Sequence, residues 1–134
     1  ASTFFDKMQL NGFASYYRKQ SNEEKSHAEM FLNYMAELNI EYISNTVEKC
    51  NEKFKTPLQV SKFALELEIK TTEEIKNIAS LCLTEGDMLT YSFINDMLKE
   101  QITELGSADD LYTKLKMIEH DKSALLLLDF EFSK

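Results

Sequence analysis

The sequence predicts an all-α protein, and three observations carry that prediction. Helix breakers are nearly absent, with one Pro and three Gly in 134 residues. Leu, Glu, Lys and Met, all good helix formers, are abundant. Apolar residues recur every three or four positions along three stretches of nearly thirty residues each, the spacing of one helix face. The chain is long enough to bury a real core as one domain, residues 1–134.

The elements follow in order. Ala1 to Leu10 reads as the last turns of a helix, with the expectation that the chain starts inside that helix. A first long helix runs from about Asn11 to Leu38, its apolar stripe marked by Phe13, Tyr17, Phe31, Met35 and Leu38. Residues 39–56 form a connector of weak periodicity. It is long for a helix–helix loop, so it is expected to cross the bundle lengthwise. Pro57 opens a second long helix, a favoured place for proline, which continues to about Thr84. Glu85-Gly86-Asp87 is a tight break that makes the next helix, Asp87 to about Ile118, its antiparallel neighbour. A polar turn, Glu119 to Lys122, leads to a short apolar tail helix, Ser123 to Phe132. Three long helices with one crossover make an incomplete bundle, and the N-terminal residues are expected to supply part of the fourth.

Composition narrows the function. A net charge of −8 argues against nucleic acid, which calls for a basic patch, and fits a soluble acidic protein or one that handles cations. Cys50 and Cys82 are too few for a disulfide framework and sit in no Cys/His cluster, so structural zinc is not expected. The longest apolar run, Ala124 to Leu128, is far too short to span a membrane. With no signal peptide visible, the expected compartment is the cytoplasm. The six methionines are expected to pack the core rather than ligate haem.

Polar residues interrupt each apolar stripe. Continuing the first by threes and fours lands on Glu24 and His27, at i and i+3, a spacing that lets both grip one metal ion. On the second long helix the stripe Leu58, Leu65, Thr72, Ile75, Ala79 and Cys82 is broken by Glu68. On the third, Gln101 and Glu104 fall among Ile94, Met97, Leu98, Ala108, Leu111 and Leu115, with Glu100 on the flank. A buried carboxylate needs a partner. Oxygen and imidazole donors without cysteine suit iron or manganese. Two readings stand at this point: a metal site, or a bundle whose polar residues fix register and recognise a partner.

Gly12-Phe-Ala-Ser-Tyr-Tyr-Arg-Lys-Gln-Ser-Asn-Glu-Glu-Lys-Ser-His27, followed by Phe31 and Tyr34-Met35, resembles the second helix of bacterial non-haem ferritins. Pro57-Leu58 through Leu65-Glu-Leu-Glu68 is similar to the start of their third helix, and Phe93-Ile94 to Glu100-Gln101-Ile-Thr-Glu104 to their fourth. Lys114-Leu-Lys-Met and Leu125 to Glu131 resemble the end of that helix and their short fifth.

The resemblance implies a ferritin-like four-helix bundle with one long crossover, a short fifth helix and a first helix truncated in this chain. It implies a ferroxidase that oxidises Fe(II) with dioxygen or peroxide and stores Fe(III) mineral in a homo-oligomeric shell of twenty-four subunits. Carried over, Glu24 is a bridging carboxylate and His27 a ligand of the first iron. Glu68 is a ligand of the second iron, with Gln101 beside it. Glu23, Glu100 and Glu104 would form a neighbouring third iron site. A further glutamate and a tyrosine belong to the family's first helix, upstream of Ala1. Ala124 stands where the family has a flexible glycine. A protective DNA-binding mini-shell of the same superfamily is a competing class, but that group lacks the fifth helix. A non-catalytic bundle acting as an assembly or partner-binding protein is the other.

Overall fold

The computed structural model describes residues 1–43 and 52–134. Among them are five α-helices and no strand: α1 (Ser2–Lys7), α2 (Asn11–Glu37), α3 (Pro57–Glu85), α4 (Met88–Met117) and α5 (Lys122–Glu131). The ends of all three long helices fall within a residue or two of the expected positions. Residues 44–51 of the expected crossover, Cys50 among them, lie outside the described residues. The described chain divides into two compact units, residues 1–54 with 123–134, and residues 55–122.

In the first unit α1 ends in a Schellman turn. Gln9 takes a left-handed φ of 59°, while its N–H donates to Asp6 and the Leu10 N–H donates to Phe5. This turn reverses the chain into α2 and stacks an aromatic core. The Phe5 ring lies parallel to Tyr17 at 5.3 Å and meets Phe13 at 5.3 Å. Phe132, just past α5, closes on Phe13 at 5.4 Å and on Tyr16 at 5.1 Å. Phe5 and Phe13 are fully buried, and such ring pairs add stabilisation beyond the area they bury. Burial, reinforced by Tyr16, pushes the Tyr17 hydroxyl far above its ordinary pKa, so it stays neutral. The C-terminus of α2 repeats the Schellman turn, with Asn39 at φ 54°.

The second unit is an αα-hairpin. Thr56 caps α3, its Oγ1 accepting from the Gln59 N–H at 3.2 Å, and Pro57 follows at the first helical position. Gly86 ends α3 at φ 71°, left-handed backbone that glycine adopts without a Cβ penalty. Asp87 then caps α4, accepting from the Thr90 N–H at 3.0 Å and the Thr90 hydroxyl at 2.5 Å. Those bonds, the hydroxyl's first, hold the Asp87 carboxyl below its ordinary pKa. Val60, Ile75, Ala79 and Cys82 of α3 and Ile94, Met97, Ala108, Leu111 and Leu115 of α4 are buried. On α4 these are the stripe read from the sequence, with Leu98 half-buried at its edge. On α3 the stripe holds from Thr72 to Cys82, whereas Leu58 and Leu65 are only half-buried and Val60 and Ser61 are buried near the N-terminus instead.

The stripe of α2 needs correction. Phe13 and Tyr17 are buried, but Leu38 is exposed, and so is Glu24, which the spacing places on the core face. The reason is the reach of the neighbours. Six residues of helix extend only about 9 Å, so α1 covers the first turns of α2 and no more. The ring contacts of the C-terminal segment fall on Phe13 and Tyr16. Past Tyr17, His27, Phe31, Tyr34 and Met35 are only half-buried.

Candidate functional site

The residues singled out from the sequence fall into one group in each unit. In the first unit, Glu23, Glu24 and His27 lie within little more than one turn in the middle of α2. Glu24 Oε2 lies 3.7 Å from His27 Nδ1, within one helical turn. The imidazole is the better covered of the two, at 18% side-chain exposure against 51% for Glu24. Glu23 is held more firmly than Glu24. Gln20, one turn back, donates from Nε2 to its carboxylate at 2.7 Å, and the Lys19 ammonium lies 3.5 Å from its other oxygen. With 38% of its side chain exposed, Glu23 is less open to water than Glu24.

In the second unit, Glu68 and Gln101 meet across the hairpin. Gln101 Nε2 donates to Glu68 Oε2 at 2.6 Å, linking positions 33 residues apart. Gln101 is only 4% exposed. Its amide can neither ionise nor reach bulk water, so a carboxylate acceptor satisfies it and fixes one oxygen of Glu68. The Glu68 backbone carbonyl is bound too. The buried hydroxyl of Thr72, one turn on, donates to it at 2.7 Å, a back-bond that commonly bends a helix slightly. Glu104 is half-buried one turn beyond Gln101 on α4, and Glu100 is exposed beside it.

Each group therefore offers carboxylate oxygen with one neutral donor, imidazole in the first and amide in the second. Hard oxygen donors of this kind bind Fe(II), Fe(III), Mn(II) or similar cations. Two supporting residues escaped the sequence reading. Gln20 reads as an ordinary surface glutamine, although its i, i+3 spacing from Glu23 is a usable signal. Thr72 stands on the apolar stripe, and its i+4 relation to Glu68 is the usable signal for its bond.

The family profile described as ferritin-like domain matches residues 1–118. Ferritin BfrB of Mycolicibacterium smegmatis is 32% identical over 110 residues, covering 82% of this chain and 61% of that protein. The chain thus spans about three-fifths of that relative's length. A bacterial non-heme ferritin of Staphylococcus epidermidis is 27% identical over 132 residues, 98% of this chain and 80% of that protein. Among solved structures, an open pore ferritin from the hyperthermophilic archaeon Archaeoglobus fulgidus superposes with a TM-score of 0.94 at 32% identity. That alignment covers 98% of this chain and 82% of that one.

Proposed function

We propose, for a chain that belongs to the ferritin family, that it oxidises Fe(II) to Fe(III) and stores the product as mineral inside a hollow homo-oligomeric shell. Membership of that family supports iron storage as the general role. The finer reading assigns Glu24, His27, Glu68 and Gln101 to a ferroxidase centre taking two irons, and Glu23, Glu100 and Glu104 to a neighbouring third position. The observation that carries it is the Glu68–Gln101 pair, a carboxylate and a buried amide joined at 2.6 Å between two long helices. A bundle that needed only packing would have apolar residues there.

Residue chemistry gives the mechanism. Anionic oxygens stabilise Fe(III) more than Fe(II), so Glu24 and Glu68 lower the potential and favour electron transfer to dioxygen or peroxide. His27 supplies a neutral donor whose attraction changes less with oxidation state. Gln101 contributes no charge, so it orients Glu68 without adding to the hold on Fe(III), and the oxidised product can leave. The chain's net charge of −8 suits a protein that draws cations inward.

The shell of twenty-four subunits and its cytoplasmic setting belong to the same proposal. Leu126, Leu127 and Phe130 of α5 are all exposed, an apolar row suited to burial against further copies. Oxygen uptake after adding Fe(II) tests the reading. Wild-type protein should consume oxygen far faster than a protein-free blank, and Glu24→Ala and Glu68→Ala should each abolish the rapid phase. If both variants keep the wild-type rate, the assigned centre is wrong. A monomer by size-exclusion chromatography would count against the shell.

A further inference from the structure

We propose that Asp129 is a latch, a single residue whose docking both caps α2 and seats the tail helix α5, so that the two segments order together. Helix α2 lacks a cap of its own. Its N-cap position is Leu10, which has no polar side chain, and no local side chain bonds the first turn. The third amide, Phe13 N–H, comes too early in the helix to find an intrahelical carbonyl. It donates instead to Asp129 Oδ1 at 2.8 Å, a residue 116 positions away. Asp129 is buried, and its carboxylate sits where the helix dipole favours a negative charge.

The backbone at this joint is as closely fitted as the side chain. A Cβ on Gly12 would lie 1.8 Å from the Asp129 carbonyl oxygen and 2.9 Å from Ser133 Oγ. Only glycine admits the tail at that distance. Ser133 Oγ in turn donates to the same carbonyl at 3.2 Å, and Phe132 packs on Phe13 and Tyr16. Capping bond, glycine notch and ring contact all form in one docking event. Once they form, the orientation of α5 is set, and Leu126, Leu127 and Phe130 remain on its open side. None of the residues at this joint is among those assigned to iron.

Hydrogen–deuterium exchange by mass spectrometry tests it on the full chain. The peptides to follow span residues 9–17 and 123–134, with residues 58–80 of α3 as reference. Asp129→Ala should raise exchange in both end peptides by roughly five- to tenfold, the size expected for a lost helix cap, and leave the reference unchanged. Gly12→Ala should produce the same paired rise although Asp129 is intact, because the added methyl displaces the tail. Asp129→Asn keeps an acceptor oxygen and should fall between. If Asp129→Ala loosens the tail while residues 9–17 exchange at the wild-type rate, the coupling is absent and the proposal fails. It fails equally if Gly12→Ala leaves both peptides unchanged.

Discussion

Truncating Gln101 should destabilise the hairpin, and most of that loss should disappear when Glu68 has already been removed. The bond between them is short, 2.6 Å, and its donor is 4% exposed. Hydrogen bonds to charged groups contribute about 1.5–3 kcal/mol, against about 1 kcal/mol for neutral pairs. Little water competes for the amide, so the coupling should fall within that higher range. The assay is urea unfolding, in the presence of a chelator, of wild type, Gln101→Ala, Glu68→Ala and the double variant. Losses of packing enter both sides of the cycle and cancel, leaving the pair's own interaction. The Arg18–Asp6 pair, 2.7 Å apart but exposed, serves as a contrast and should couple by about 0–1 kcal/mol. A Gln101–Glu68 coupling below about 0.5 kcal/mol would refute the view that this pair holds the centre in place.

Other perturbations give separate tests. Phe13→Ala empties a fully buried site between Phe5 and Phe132 and should cost about 3–5 kcal/mol by thermal or urea unfolding. The same chemical change should have opposite signs at two other glycines, neither of which has a neighbour within 4 Å of an added Cβ. Gly106→Ala, inside α4, should stabilise by up to about 1 kcal/mol, whereas Gly86→Ala forces a methyl into left-handed backbone and should destabilise by about 1 kcal/mol. The Asp87 carboxyl is lowered in the folded state, so its contribution is present above the ordinary carboxylate range and is lost as pH falls through the lowered value. Wild type should therefore exceed Asp87→Ala in melting temperature near neutrality, and the two should converge in acid.

The sequence made the hairpin of α3 and α4 legible because its signals are local. Pro57 at one end, Gly86-Asp87 at the turn and regular apolar stripes interrupted only by single polar residues fix the bounds of both helices. The meeting of Glu68 with Gln101 is implied by the family resemblance rather than by these local signals. On α2 the stripe was equally regular, yet periodicity says which residues share a face and not how far a neighbour covers it. Glu24 therefore appeared on the core side, while the short α1 leaves it exposed and Glu23 proves the better held of the two. The cap of α2 had no local signature at all. Its acceptor lies 116 residues downstream, and Gly12 is needed only because that distant backbone comes so close.

The most direct test of the central claim is the amount of Fe(II) bound per chain without oxygen, measured by calorimetric titration. Wild type should bind about two Fe(II) per chain tightly, as a paired carboxylate centre requires, and Glu24→Ala and Glu68→Ala should each lose tight binding. Binding by both variants at the wild-type level, or no tight binding by wild type, would contradict the assignment of these residues to an iron centre.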